Sequence, residues 1–418
     1  MVVPGVQPVR TVGLAGAGDR SAHGRRDGGP VGEDDDVTTD ATLRRRLANA
    51  LATAGHLRTE SWRRAVEAVP RQEFLRGGFF EPVANSVPTA WRPVLPEADG
   101  WLERCYADES LVTQIAGTIV PRDVRGEILR APTSSSTMPG LVVRMHEDLQ
   151  VESRQRILEI GTGTGYSTAL LCHRLGDELV TSVEVDPEVS LRARSALGTC
   201  GYQPDLVVGD GLLGHQDRGP YDRVTATCGV LEIPREWLEQ TRPGGKILAT
   251  VCGWLYSSEL ARLTVHEDGT ATGRFLGGQV SFMLARPQLT PLLGLLPDLD
   301  TGEERPTTLG NDALDDWTAR FVAQLAAPHA QRITLVRDGR NDTVLIDVEA
   351  GTWACLTQAG GDRWTVRQGG PDRLWDRVEE SIARWRTDGA PPLDQFEITV
   401  APEGQTITWP SGRPTPGA

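Results

Sequence analysis

At 418 residues the chain is too long for one ordinary hydrophobic core, which predicts two folded units with irregular ends. Its formal charge is −14 and Lys246 is the sole lysine, so an acidic surface argues against a nucleic-acid partner unless a basic patch is concentrated locally. Six scattered cysteines form no C-x-x-C pair and no metal-ligand spacing, and no run approaches ~18 apolar residues. These features predict a soluble cytoplasmic protein with reduced thiols, no metal and no membrane span.

Residues 1–37 are rich in Gly, Arg, Pro and Asp and lack apolar periodicity, which reads as a disordered tail. From Asp40, Leu43, Leu47 and Leu51 recur at helical spacing behind a capping-type acidic residue. A second helix, "ESWRRAVEAVP", stops at Pro70 and leads into "RQEFLRG". Residues 38–150 are thus expected to hold small helices and a pocket segment ahead of a larger core.

The core is expected over 151–290. There the runs "RILEI", "ELVTSVEV", "DLVVGD", "YDRVTAT" and "KILATV" alternate with helix-length spacers, the pattern of βαβ units on a parallel sheet. A Pro-, Gly- and Asp-rich stretch over 291–308 reads as a linker. Over 309–412 a helix carrying Leu314, Trp317 and Phe321 precedes four alternating runs, a second helix and the pair "FEITVAP" and "QTITWP", an α+β accessory domain with an antiparallel meander.

The chemistry begins at "EIGTGTGY". Gly161, Gly163 and Gly165 fall at a strand-to-helix junction, where bare backbone lets a ligand lie close. A dinucleotide loop, G-x-G-x-x-G, requires glycine at position 166, which is Tyr166. The loop instead suits S-adenosylmethionine, which has no pyrophosphate to seat on the helix. Glu184 with Val185 ends the second strand, where a carboxylate takes ribose hydroxyls, and Asp210 with Gly211 ends the third, where an adenine edge would sit. With Glu159, Thr162 and Tyr166, these residues form the expected cofactor set.

The segments "LATAGHLRTESWRRAVEAVPRQEFLRG", "ILEIGTGTGYSTALL", "VEVDPEV", "VGDGLLG", "PYDRVTAT" and "IPREWLEQTRPGGKILATV" resemble protein-L-isoaspartate O-methyltransferases in order and spacing, over roughly 45–285. The resemblance implies an α/β fold: a Rossmann-like class I S-adenosylmethionine-dependent methyltransferase core with N-terminal helices, to which the C-terminal α+β accessory domain read above is added. It also implies methyl transfer to a carboxylate of an aspartyl or isoaspartyl residue in a peptide or protein substrate.

The family's T-I-S-x-P pocket segment corresponds to "SSSTMP" here, which makes Ser135, Ser136 and Thr137 candidate catalytic donors and Ser134 a substrate contact. The alternative is that these hydroxyls only cap the helix at Pro139. Tyr106 and Asp108, opening "YADESLVT", align near the family's pocket, with ordinary loop packing as the alternative. His146 reads as a packed helix residue.

The chain departs from the family at the inserted "TQIAGTIVPRDVRGEILRAP", at "TATCGV" and after about 308. The altered serine segment with a C-terminal extension resembles the subgroup associated with lanthipeptide and graspetide natural products. That resemblance implies methylation of a defined aspartate, then succinimide formation and an aspartimide or isoaspartate product. General isoaspartyl repair is the neighbouring alternative, and a non-catalytic protein keeping the fold as a scaffold is the alternative from another class.

Overall fold

The computed structural model describes residues 39–337 and 339–411, so the tail expected at 1–37 lies outside it. Helix α1 (Asp40–Thr53) is capped one residue before the expected acid: the Thr39 hydroxyl accepts from the Thr42 N–H at 3.3 Å. Asp40 instead pairs with Arg44 at 2.6 Å. The predicted stripe Leu43, Leu47 and Leu51 is buried with Trp62 and Val66 of α2 (Glu60–Ala68). A 3-10 turn over Arg71–Leu75 follows.

A four-stranded antiparallel sheet comes next, built from β1 (Phe79–Pro82), β2 (Trp91–Val94), β3 (Leu111–Ile115) and β4 (Pro132–Ser136) in the order β2-β1-β3-β4, with helix α3 (Trp101–Cys105) between β2 and β3. The stretch "TQIAGTIVPRDVRGEILRAP" is the end of β3 and the loop returning into β4. Its Ile115, Ile119, Val124 and Ile128 pack with Phe80 and Trp91, an apolar cluster that keeps the hairpin folded back on its own sheet.

After α4 (Pro139–Asp148) the expected alternation appears: β5 (Ile157–Ile160), α5 (Tyr166–Leu175), β6 (Val180–Glu184), α6 (Pro187–Thr199), β7 (Asp205–Val208), β8 (Tyr221–Val230), α7 (Arg235–Glu239) and β9 (Thr241–Cys252). Strands β5, β6, β7, β8 and β9 are parallel. Strand β5 lies between β6 and β8, so the chain's direction of winding reverses at its end. That reversal opens the crevice in which doubly wound sheets take ligands. The antiparallel β10 (Ser258–Val265) and β11 (Ala271–Phe275) extend the sheet beyond β9.

The C-terminal region starts earlier than composition suggests. Residues read as linker include β12 (Glu303–Thr307), which joins β13 (Gln331–Arg337), β14 (Arg340–Asp347), β15 (Thr352–Gly360) and β16 (Arg363–Gly369) in a five-stranded antiparallel sheet of order β12-β16-β15-β14-β13. Helices α8 (Trp317–Ala326) and α9 (Leu374–Thr387) pack between this sheet and the central one. The last pair, β17 (Glu397–Ala401) and β18 (Gly404–Thr408), leaves the C-terminal sheet and pairs with β11, completing nine strands in the order β18-β17-β11-β10-β9-β8-β5-β6-β7.

One apolar core therefore runs from Ile160 and Trp237 through Phe275, Phe321 and Phe396 to Leu356 and Val366. Phe321 meets Phe275 and Phe396 edge-on, at 5.4 and 6.3 Å between ring centres. No helix among the described residues is long and apolar enough to cross a membrane, and none of their His, Cys, Asp and Glu side chains form a group able to hold a metal ion.

Candidate functional site

The glycine loop turns at the end of β5 with φ of 89° at Gly161, 55° at Gly163 and 92° at Gly165, a region that favours glycine. Space restricts the loop as well. A Cβ on Gly161 would sit 2.7 Å from the Thr227 hydroxyl, and one on Gly165 would press on Ala193 and Leu197 of α6. The Glu184 carboxylate folds over the loop, accepting from the Gly163 N–H at 2.9 Å and the Asp186 N–H at 3.1 Å. Burial pushes its pKa above the usual glutamate range, partly offset by those two N–H groups.

Two N–H contacts leave about half of a carboxylate's roughly four acceptor positions free for ribose hydroxyls. Beside Glu184, Val185 exposes 38% of its surface, an apolar face at the strand end suited to a flat ring. Asp210 accepts from the Leu212 N–H at 2.9 Å and shapes the turn over Gly211, where a Cβ would meet Ile160 Cγ2 at 2.4 Å. Gly161, Gly163, Gly165, Glu184, Val185, Asp210 and Gly211 thus lie together at the ends of β5, β6 and β7.

Three other expected cofactor residues turn their side chains inward. Glu159 has no exposed surface and accepts from the Ser182 hydroxyl at 2.8 Å and from the Thr168 hydroxyl. The Thr162 hydroxyl bonds Ser182 at 2.7 Å in the seam between β5 and β6. Tyr166 is buried edge-on to Phe74, with Arg71 5.7 Å from its ring centre and no partner for its hydroxyl. These side chains stiffen the loop from beneath, because β5 is covered on both faces and the first turn of α5 packs into the N-terminal apolar cluster.

The serines form strand β4 and not a helix cap. The cap of α4 is supplied from elsewhere: Ser110 accepts from the Met138 N–H at 3.0 Å and Asp108 from the Gly140 N–H at 2.6 Å. Asp108 is therefore a helix-capping residue, and Tyr106 is buried with its hydroxyl on Gln72, so neither stands free as a substrate contact. Along β4, Ser134 and Ser136 are buried and Ser135 and Thr137 half-buried. Ser134 receives the Thr113 hydroxyl at 3.5 Å, and the Ser136 hydroxyl is buried without a partner. The Ser135 carbonyl lies 3.4 Å from where a Gly163 Cβ would be, so the serine strand touches the glycine loop.

The residue holding this strand in place is Arg71, in the "VPRQEF" segment. Its guanidinium, in a side chain with no exposure, donates to the carbonyls of Cys105, Ala107 and Glu109 at 2.9 Å each, and to those of Ser136 and Thr137 at 3.4 and 3.2 Å. One side chain thereby ties the 105–109 loop to the end of the serine strand. Sequence reading singled out the segment without giving Arg71 a role, and the available signal was a charge set among Val69, Phe74 and Leu75.

His146 is stacked on Trp62 at 4.8 Å and bonded to Ser167 at 3.2 Å. Burial pulls its pKa down to about 3, so it stays neutral and packed.

A twisted sheet with its reversal at a G-x-G-x-G loop and an acidic residue ending the next strand defines the class I S-adenosylmethionine-dependent methyltransferase fold. Residues 122–282 match the family model described as Protein-L-isoaspartate(D-aspartate) O-methyltransferase. A protein-L-isoaspartate O-methyltransferase of Methanopyrus kandleri is 32% identical over 251 residues, covering 59% of this chain and 92% of the relative. One of Methanothermobacter thermautotrophicus is 30% identical over 253 residues, covering 60% and 95%. A solved structure titled protein-L-isoaspartate O-methyltransferase shares the fold with a TM-score of 0.51 and 21% identity, over 88% of this chain and 99% of that one. The chain belongs to the protein-L-isoaspartate O-methyltransferase family, and with it to the S-adenosylmethionine-dependent protein carboxyl O-methyltransferases.

Proposed function

We propose that the crevice at the end of β5 binds S-adenosylmethionine through Gly161, Gly163, Gly165, Glu184, Val185, Asp210 and Gly211, and that Ser135, Ser136 and Thr137 hold the acceptor carboxylate of a peptide aspartyl or isoaspartyl residue. The observation that carries this reading is the contact between the serine strand and the glycine loop at Ser135 and Gly163. When bound, the cofactor supplies an electrophilic methyl on a sulfonium centre.

An ionised carboxylate is already a nucleophile, so no side chain has to remove a proton. The chain's contribution is positional. The half-buried Ser135 and Thr137 and the unpartnered Ser136 hydroxyl offer donors that orient the carboxylate. Fixed positioning of this kind is worth about 7 kcal/mol or more of barrier. The ester that forms is a better electrophile than the acid, and the next backbone nitrogen closes on its carbonyl carbon, the C–OCH3 bond breaking and methanol leaving with the amide proton, to give a succinimide without further help.

The finer reading is that the target is a defined aspartate in a modified ribosomal peptide. The altered serine segment supports it, and the C-terminal sheet offers it a surface. On that sheet a cleft of about 650 Å3 is lined by Arg337, Arg340, Arg367, Asp300, Glu304 and Asp342 among others, a charged surface suited to a peptide's remote residues. General isoaspartyl repair is the second reading. It is favoured by the names of the relatives.

Mass spectrometry after incubation with S-adenosylmethionine and two peptides separates the readings. One peptide carries isoaspartate, and the other is a cyclised precursor with an internal aspartate. Methyl gain followed by methanol loss on the cyclised peptide alone supports the natural-product reading. Methylation of the generic isoaspartyl peptide supports repair, and modification of neither overturns both.

A further inference from the structure

The segment after β11 crosses the ligand end of the central sheet as a strap. Its first part is anchored by Glu259, whose carboxylate accepts from the Gln279 N–H at 2.9 Å, and by the Ser258 hydroxyl donating to the Val280 carbonyl at 2.9 Å. The strap then pairs with the end of β8: the Gly229 N–H donates to the Met283 carbonyl and the Ala285 N–H to the Gly229 carbonyl, both at 2.8 Å. Gln288 secures the far side, accepting from the Leu231 N–H at 2.9 Å and from the Trp254 indole N–H at 3.0 Å.

From the middle of the strap one side chain reaches toward β6. Arg286 donates to Asp186 Oδ2 at 2.8 Å and to Gln114 Oε1 at 3.1 Å. Gln114 in turn donates to Asp186 Oδ2 at 3.1 Å and accepts from the Thr133 hydroxyl at 2.8 Å. Asp186 uses its other oxygen to cap α6 through the Glu188 and Val189 N–H groups, and its own N–H holds Glu184 Oε1. The contacts therefore run unbroken from strap to Arg286, to Asp186, to Glu184, to Gly163. A branch through Gln114 and Thr133 reaches the strands that carry the serines.

We infer that Arg286 is a positioning residue, a clasp that fastens the strap over the cofactor crevice and sets Glu184 through Asp186. The inference rests on the crevice being the cofactor site. The rest of the strap is held by backbone bonds to strands and by buried side chains. The clasp joins three chain segments, the strap, β3 and the turn after β6, through one guanidinium that remains one-third exposed. A contact with that much exposure can open without disturbing the core, so cofactor entry and product release are expected to proceed by its opening.

The test uses the full chain and S-adenosylhomocysteine. Titration calorimetry gives its affinity, stopped-flow displacement its release rate, and hydrogen exchange followed by mass spectrometry the protection of residues 280–288. Arg286→Met is expected to weaken binding roughly tenfold or more, as for truncation of a partly buried charge pair, and to speed release. It should raise exchange in the strap, and the cofactor KM should rise more than the peptide KM. Arg286→Lys should recover much of the affinity. Asp186→Asn, which keeps a capping oxygen, serves as the second variant and should speed release in the same way.

Wild-type protein that fails to bind S-adenosylhomocysteine overturns the cofactor reading itself. Wild-type binding with unchanged affinity and release rate in Arg286→Met and Asp186→Asn overturns the clasp alone.

Discussion

Replacing Arg71 with methionine removes a guanidinium that serves five carbonyls and keeps the aliphatic stem. Two of those contacts, to Cys105 and Ser136, are buried, and the other three are partly open to water. A buried polar group left without a partner costs about 1–3 kcal/mol, so the two buried carbonyls together predict a loss of about 2–6 kcal/mol. The upper end of that loss equals a large share of a typical margin of about 5–15 kcal/mol, and all of it for a margin at the low end. The relieved desolvation of the charge itself works the other way: burial pulls the Arg71 pKa below its ordinary value, a sign that the charge is held at a cost. Guanidinium denaturation followed by circular dichroism measures the loss, and methyl transfer under native conditions measures the second effect, a lower kcat as the end of the serine strand drifts from the glycine loop. Arg71→Lys should fail nearly as badly, because an ammonium cannot span acceptors that lie on both the 105–109 loop and the serine strand. A methionine variant within about 1 kcal/mol of wild type, with unchanged kcat, would refute the claim that Arg71 organises the site.

Other perturbations follow from the same geometry. Ser136→Ala removes a buried hydroxyl without a partner, so stability should hold or rise while kcat/KM for the peptide falls about tenfold or more if the hydroxyl meets the substrate; unchanged kcat/KM would release Ser136 from that role. Asp108→Ala should cost about 1 kcal/mol by uncapping α4, read as a shifted denaturation midpoint with the peptide KM little changed. Gly211→Ala drives a methyl into Ile160 and should cost about 1–3 kcal/mol together with cofactor affinity, checked by melting with and without S-adenosylhomocysteine. Burial raises the Glu159 pKa against its hydroxyl donors, so its contribution is full below the unfolded value of about 4.3 and declines as pH climbs through the folded one. Glu159→Gln mimics the protonated acid and should flatten that decline in denaturation series run from pH 5 to 8; an unaltered slope would show that Glu159 is not its source.

The parallel core was legible because β5, β6 and β7 are short β-rich runs ended by a glycine or an acid, and the candidate cofactor residues follow from those ends. Side-chain direction was less so. Glu159, Thr162 and Tyr166 stand in the loop's own motif, yet strand alternation and the first turn of α5 aim them at the interior, and only the packed partners Ser182, Thr168 and Phe74 reveal it. Tyr106 and Asp108 align with a pocket segment, but their partners Gln72 and Gly140 lie more than thirty positions away. Arg71 and Arg286 went unassigned for the same reason: an arginine in a string carries no sign of which carbonyls or carboxylates it will meet. The alternation in "FEITVAP" and "QTITWP" announces strands without naming their neighbour, and the exposed edge of β11 claims them for the central sheet.

The C-terminal sheet leaves the central sheet after β11 and the chain comes back to pair with that same strand through β17, so the unit is pinned at both ends of its path. A chain cut short before β17 would bare the backbone edge of β11, an invitation to aggregation and not a tidy catalytic fragment. With no hinge between them, the charged cleft and the glycine loop keep a set separation, and a peptide engaging both would be measured by it. In such an arrangement the spacing between a substrate's anchoring residues and its reactive aspartate becomes a selection rule, enforced by the rigidity of a shared core and independent of the sequence between the two points.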